Sequence, residues 1–202
     1  MSEQAGRRGR PGHSLESLLA VAVAVFNERG YEATSMDELA LRAGVTKSAI
    51  YHHVPGKEEL LRLAVDRALD GLFAVTREPE ATTGPAIGRL EHVVRGSIRV
   101  LTAELPFVTL LLRVRGNTAV ERAALERRRE FDRIVSDLVR AAGREGSVRP
   151  DVDPAVIGRL LFGTVNSLTE WYRPGGPLSA DDLANALVAT TFGGLRTAPR
   201  QR

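Results

Sequence analysis

The residues best suited to chemistry lie in one stretch, GVTKSAIYHHVPGKEEL, at residues 44–60. Two of the chain's four histidines, His52 and His53, are adjacent there, which raises the question of a metal site. Successive residues on a helix point about 100° apart, so the two rings do not face one ion. Helical histidine pairs that bind metal stand at i, i+4, and no carboxylate has that spacing from both rings. We therefore expect no metal, and we consider contact with a partner for His52 and packing against another helix for His53.

Other residue types exclude several kinds of chemistry. The chain has no cysteine, which excludes disulfides, thiolate nucleophiles and cysteine-based zinc sites. It also lacks a G-x-S-x-G nucleophile motif, an H-E-x-x-H zinc motif, a P-loop and carboxylates clustered with a histidine. We therefore expect that the protein is not an enzyme, that it has no catalytic residue, and that it needs no cofactor.

Composition is that of an ordinary globular protein. The 202 residues are 43% hydrophobic and 26% charged, enough for one large domain or two small ones. The net charge of +3 points only weakly to an anionic partner. The longest apolar run, residues 18–26, is too short to span a bilayer, and no secretion signal is visible, so we expect a cytoplasmic protein without a membrane partner.

Helices must position the 44–60 stretch, because strand-like alternation is nearly absent. A first helix is expected to begin after the N-cap Ser14 and to end at Gly30. A second begins after Ser35 and ends at Gly44, and Ser35 with Glu38 forms the pattern of a capping box.

A third helix, capped by Thr46, is predicted at 47–54, and a fourth at 57–77 after the break at Pro55-Gly56. A loop at 78–85 follows, near which we expect the domain hinge, with helix 4 itself as the alternative connection between the domains. Further helices are predicted at about 86–104, 106–115, 118–143, 154–172 and 180–196.

Helices 2 and 3, joined by a turn at residues 43–45, have the layout of a helix-turn-helix unit. In such units the second helix enters the DNA major groove with its N-terminal residues toward the bases. Short hydroxyls, one cation and flat rings suit phosphate oxygens and base edges better than they suit a solvated charged face. The third helix leaves such residues outside, namely Thr46, Lys47, Ser48, Tyr51 and His52.

The segment GYEATSMDELALRAGVTKSAIYHHVPGKEEL, residues 30–60, closely resembles the DNA-binding signature of the TetR family of bacterial transcriptional regulators. The resemblance covers about the first third of the chain. It implies an all-α fold with an N-terminal three-helix DNA-binding domain at 14–60, its helix-turn-helix at about 35–54. A helical ligand-binding and dimerisation domain would follow at 61–196, giving about nine helices in total.

Carried over by position, the resemblance implies contacts with an operator in double-stranded DNA. Thr34 and Ser35 would meet phosphate at the start of helix 2, and Lys57 would meet phosphate at the start of helix 4. On the recognition helix, the contacts would be Thr46, Lys47, Ser48, Tyr51 and His52. Two positions depart from the family pattern: Val54 replaces a frequent Phe, and Gly56 replaces a small polar residue.

The charge of the DNA-binding region is unusual for that role. Residues 1–60 contain seven Lys or Arg and eight Asp or Glu, so affinity must come from where the charges are placed. Six neutralised phosphates would give a salt slope near roughly −5. Residues 1–13 are expected to be a disordered basic arm, and its RRGRPG sequence either enters an A·T minor groove or is a solubilising tail. Residues 197–202 are expected to be a disordered tail.

The C-terminal helices have broad apolar faces that suit either a ligand pocket or an ordinary core. Their arginines are mostly expected to be solvated or paired, although one or two could hold an anionic ligand. The segment LFGTVNSLTEWYRPGGPLS also resembles, more weakly, the TetR-type regulators that respond to acyl-CoA thioesters. That resemblance implies Asn166, Trp171 and Arg173 near the pocket, although Trp171 could instead anchor a helical bundle. Ligand-binding candidates are Arg95, Ile98, Phe107, Leu111, Arg113, Phe131, Asn166 and Trp171.

The last two helices are apolar nearly all round, which predicts more burial than one subunit offers. The usual solution is a two-fold homodimer that joins two helices from each subunit into a four-helix bundle. Two recognition helices would then read half-sites about 34 Å apart. Interface candidates are Leu160, Leu161, Val165, Leu168, Leu183, Leu187, Phe192 and Leu195.

The function indicated by these features is a ligand-responsive repressor that binds a palindromic operator as a homodimer and is released by a small-molecule effector. An acyl-CoA thioester is one candidate effector, and another apolar effector or an activator role remains an alternative. A helical interaction protein that does not bind DNA is the alternative of another class. It predicts that changing Lys47 or Tyr51 leaves function intact.

Overall fold

The structure, a computed structural model, describes residues 14–193 and confirms the all-α class. The described residues form ten helices and no strand. Predictions for the arm at 1–13, the tail at 197–202 and Leu195 fall outside the described residues. The helices are α1 (Leu15–Arg29), α2 (Met36–Ala43), α3 (Lys47–Tyr51), α4 (Lys57–Val75), α5 (Pro79–Thr82), α6 (Ala86–Ala103), α7 (Leu105–Arg113), α8 (Ala119–Arg144), α9 (Pro154–Trp171) and α10 (Ala180–Phe192).

The described chain divides into two compact units between Leu63 and Ala64, within α4. Hydroxyl caps start the first three helices of the N-terminal unit. The side chains of Ser14, Ser35 and Thr46 each accept a hydrogen bond from the backbone N–H three residues on. The apolar faces of these helices then bury side chains against one another, among them Leu18, Phe26, Leu39, Ile50, Val54 and Leu60.

Several boundaries differ from the sequence prediction, including the end of α4 at Val75 and not at 77. Helix α3 ends at Tyr51 and not at 54, because the amide of His53 bonds the carbonyl of Ile50 and tightens the last turn. The predicted loop at 78–85 contains the short helix α5, which begins at Pro79, where a proline costs no hydrogen bond.

Helix α6 is central to the C-terminal unit and buries a long apolar stripe. Gly96 lets α4 approach α6 closely: a Cβ built there would lie 2.3 Å from Cγ1 of Val75. An edge-to-face aromatic chain joins α4, α8 and α9, with Phe131 6.0 Å from Phe73 and 5.1 Å from Phe162 between ring centroids. No helix in the described part of the chain is both long enough and apolar enough to cross a membrane.

Candidate nucleic-acid interface and effector pocket

The turn between α2 and α3 sets the direction of the recognition helix. Gly44 has φ 67° and ψ 31°, the left-handed conformation that costs glycine nothing, and it ends α2. The amide of Val45 then bonds the carbonyl of Ala40 at 3.0 Å, which closes the turn. Ile50 is fully buried, so α3 is fixed to the unit by its inner face.

The outer face of α3 carries the polar side chains that the sequence assigned to DNA contact. Lys47, Ser48, Tyr51 and His52 are all exposed, and so is the cap residue Thr46. Short hydroxyls, a cation and two flat rings on one protruding helix can donate to phosphates and reach base edges. His53 is exposed as well, so the prediction that it packs against another helix is wrong.

The predicted hydroxyl contacts fall into two groups. Ser35 and Thr46 are exposed, and because their oxygens accept the cap bonds, their O–H groups can still donate to a phosphate. Thr34 is only 2% exposed, and its hydroxyl donates to the carbonyl of Gly30 at 2.8 Å. This places Thr34 in the packing of the turn after α1, which sequence spacing could not show.

Lys57 is held inside its own unit. Its Nζ donates to the backbone carbonyls of Tyr31 and Thr34 at 3.0 Å and of Glu32 at 3.4 Å. It also lies 4.4 Å from the centroid of the Tyr31 ring, within cation–π range. An ammonium has three donors, so these bonds engage all of them. A phosphate contact for Lys57 stays a prediction, and it would require exchange of these bonds.

Two acidic residues near the predicted interface were missed. Asp37 on α2 pairs with Lys47 at 3.0 Å, and Glu28 on α1 makes two 2.9 Å bonds to Arg42. The hydrogen bond that Lys47 donates to Asp37 raises the pKa of Lys47, and the bonds that Glu28 accepts from Arg42 lower the pKa of Glu28. Neither pair lies at a helical i, i+4 spacing, so the sequence carries no local signal for them.

The C-terminal unit contains a small apolar cavity of about 50 Å³ between α4, α6, α7, α8 and α9. Three of the predicted ligand-binding residues line it: Leu111, Phe131 and Asn166. Two polar residues that the prediction missed, Arg128 and Asp132, line it too. The other lining residues are Leu69, Leu72, Ser97, Leu101, Val108, Leu112, Phe162 and Val165.

The other candidates lie elsewhere in the unit. Ile98 and Phe107 are buried but are not part of this lining. Arg95 bonds Glu91 at 2.8 Å and Asn185 at 2.7 Å. The remaining three are exposed: Arg113, Trp171 and Arg173. The ligand-binding role of all these residues stays a prediction.

A larger cleft of about 440 Å³ lies between α8 and α9, and most of its lining residues are charged. Burial raises the pKa of the Asp132 carboxyl, while nearby Arg128 and Arg159 oppose that shift. The arginines of the cleft are Arg129, Arg133, Arg140 and Arg159, and its acids are Asp132 and Asp137. Because Asp132 also lines the apolar cavity, the two spaces adjoin at one residue.

Most of the predicted interface residues are already buried within their own subunit. Leu160 is 67% exposed and Phe192 is partly exposed. Buried in the subunit are Leu161, Val165, Leu168, Leu183 and Leu187. The exposed side of α9 carries Val156, Leu160, Gly163, Ser167 and Trp171, and that of α10 carries Ala186, Ala189 and Thr190. The interface itself stays a prediction.

Within residues 14–193, one group of three side chains has metal-ligating atoms within 4.8 Å of one another: Glu78, Glu80 and His92. His52 and His53 do not belong to it. The Nε2 of His92 lies 2.6 Å from Oε2 of Glu78, a hydrogen-bond distance that joins the start of α5 to α6.

Known protein families match both the N-terminal and the C-terminal part of the chain. The profile described as bacterial regulatory proteins of the tetR family matches residues 18–64, and that of the tetracyclin repressor-like C-terminal domain matches residues 83–195. The HTH-type transcriptional repressor KstR2 of Rhodococcus jostii (strain RHA1) is 31% identical over 93% of each chain.

Two solved structures are also similar. SCO3833, a TetR regulator from Streptomyces coelicolor A3, has a TM-score of 0.86 and 56% identity, covering 92% of this chain and 94% of that one. AibR in complex with isovaleryl coenzyme A and operator DNA has a TM-score of 0.74 and 26% identity, covering 88% and 97%. The chain therefore belongs to the TetR family of bacterial transcriptional regulators, which are not enzymes, and has an N-terminal helix-turn-helix DNA-binding domain.

Proposed function

We propose that the protein binds a palindromic DNA operator in the cytoplasm as a homodimer and that a small-molecule effector, an acyl-CoA thioester, releases it. The observation that carries the DNA-binding part is the outer face of α3. That face carries Lys47, Ser48, Tyr51 and His52 on a helix fixed by the Gly44 turn and the buried Ile50.

The homodimer rests on the apolar side of α9 and α10. Leu160 and Trp171 are 67% and 51% exposed on α9, and small residues stand between and beside them. Small side chains allow two helices to approach closely, and large exposed apolar side chains gain by burial. A two-fold dimer through this face would cover them and give the two recognition helices a fixed spacing.

The acyl-CoA effector is supported by the two adjoining spaces of the C-terminal unit. The cavity lined by Leu111, Phe131 and Phe162 suits an acyl group. The cleft contains four arginines that suit phosphates, and three of them would exchange their pairs with Glu126 or Asp137 for the ligand. The similar structure of AibR holds isovaleryl coenzyme A. A cavity of about 50 Å³ has little room, so an acyl chain would move side chains such as Phe131. Because of that movement, the effector would bind one conformation of the protein more tightly than the other. Such a difference in affinity is required if the effector is to release the protein from DNA.

Fluorescence anisotropy tests the proposal. DNA from upstream of the protein's own gene is labelled and titrated with the full chain, and acyl-CoAs and their free acids are then added. We expect binding far tighter than to random DNA, with release by one CoA ester and not by its acid.

Equal release by ester and acid would refute the CoA part and leave the repressor. A selection of genomic fragments that recovers no preferred sequence would refute operator binding. A promoter–reporter fusion reads the sign of regulation: deletion of the gene should raise expression, and a fall would show an activator.

A further inference from the structure

Every lysine and arginine side chain in the described part of the N-terminal unit is engaged by a carboxylate or by backbone carbonyls of that unit. A DNA-binding surface normally has cations ready for phosphates, because backbone electrostatics supply nearly all non-specific affinity. The cations and their partners are Arg29 with Glu38 (2.9 Å), Arg42 with Glu28 (2.9 Å), Lys47 with Asp37 (3.0 Å), Arg62 with Glu59, and Lys57 with three carbonyls.

Lys47 stands apart because it is on the leading end of the recognition helix. Its side chain is 46% exposed, and that of its partner Asp37 is 74% exposed. A carboxylate oxygen at 3.0 Å from Nζ offers the same charge and the same kind of acceptor as a phosphate oxygen. Asp37 therefore occupies the position that DNA would take at this ammonium.

From this pair we infer that Asp37 competes with DNA phosphate for Lys47 and thereby lowers the affinity of the DNA interface. The inference rests on the proposed operator binding. On random DNA the recognition helix is not seated in the groove, and Lys47 remains with Asp37. On the operator, base contacts hold the recognition helix in the major groove and bring a phosphate close to Nζ of Lys47. Lys47 then exchanges Asp37 for that phosphate. The carboxylate thus removes one cation per subunit from non-specific binding.

Neutralising Asp37 should affect the two kinds of DNA differently. With Asp37→Asn, Lys47 becomes available to random DNA as a new phosphate contact. One added contact steepens the salt slope by about 0.9 per subunit, or roughly 2 for a dimer. The operator complex already has that contact, so its slope stays the same. Its affinity rises only by the loss of a competing exposed pair, roughly 2- to 30-fold for two subunits.

The experiment is anisotropy of the full chain on operator and on random duplexes from 50 to 300 mM salt. Asp37→Glu keeps the charge and should restore wild-type slopes. Glu28→Gln is the matched control, since it frees Arg42 in the same unit by the same charge change but away from α3. Thermal melts confirm that each variant is folded.

For Asp37→Asn alone we expect a steeper random-DNA slope, an unchanged operator slope, tighter binding to both DNAs and a ratio of operator to random-DNA affinity no smaller than that of wild type. An unchanged random-DNA slope, or equal steepening by Glu28→Gln, overturns the role of Asp37. If wild type shows no operator preference, the failure belongs to the proposed function and not to Asp37. An operator slope that steepens by the same amount overturns the exchange of partners.

Discussion

Replacing Lys57 by Met separates two roles for the one lysine that resemblance assigns to a phosphate. The structure gives it two carbonyl bonds of 3.0 Å, a longer one of 3.4 Å and the face of Tyr31. Methionine keeps much of the apolar stem and removes the charge and all three donors. The change therefore tests the polar contacts more than the packing.

The magnitude follows from these contacts. Two partly exposed hydrogen bonds contribute about 1 kcal/mol each, and the cation–π contact about 0.5 kcal/mol. We expect Lys57→Met to destabilise the N-terminal unit by about 2–3 kcal/mol. Because 1.36 kcal/mol is a factor of ten, amide protection in α1 and α2 should fall about 30- to 150-fold.

Hydrogen exchange with mass spectrometry on the full chain measures this region by region. Lys57→Arg is the control that keeps the charge but replaces the compact ammonium by a planar fork, which cannot reach the same three carbonyls. We expect it to lose protection as well. Unchanged protection in Lys57→Met, together with an operator salt slope shallower by about 0.9 per subunit, would refute the structural role and support a phosphate contact.

Three further predictions concern packing and assembly. Thr34→Val should cost about 1–2 kcal/mol in denaturant unfolding, because it removes a buried donor from the carbonyl of Gly30, and it should leave the operator affinity of the folded protein unchanged; weaker operator binding would contradict its buried position. Gly96→Ala should lower thermal stability by about 1–3 kcal/mol, since the new methyl meets Val75; an unchanged Tm would contradict that contact. Leu160→Glu should turn dimers into monomers in sedimentation velocity, because it places a charge in the proposed apolar interface, and a dimer of unchanged affinity would refute that face.

Local signals explain why the helices could be predicted. Ser14, Ser35 and Thr46 cap their helices as expected, because a hydroxyl at that position bonds an amide three residues on. The capping box at Ser35 formed only in part. Its serine bonds the amide of Glu38, while the Glu38 carboxylate pairs with Arg29 at 2.9 Å. A distant cation thus engages a side chain that sequence spacing assigned to the backbone.

The exposed face of α3 was predictable for the same kind of reason. A short amphipathic helix has one inner face, so burial of Ile50 sends its polar neighbours outward. For the apolar helices α9 and α10, the sequence did not indicate which side is buried. Leu160 and Leu161 are adjacent and equally apolar, yet one is 67% exposed and the other is buried in its own subunit. An all-round apolar pattern does not say which side meets the core and which remains for a partner.

By itself, the sequence determined the all-α class, the helix-turn-helix and the polar character of the recognition helix. Helix caps, turn glycines and the helical spacing of apolar residues each involve only a few neighbouring residues, so they can be read directly from the sequence. Only the tertiary structure decided what the charged and hydroxyl side chains do. Lys57 reaches Tyr31, Lys47 reaches Asp37, and Thr34 turns inward. The partners of the two lysines lie on other helices or turns and come together only when those elements pack, so no local pattern encodes these pairs. Thr34 bonds a carbonyl only four residues away, but its burial likewise depends on the packed structure.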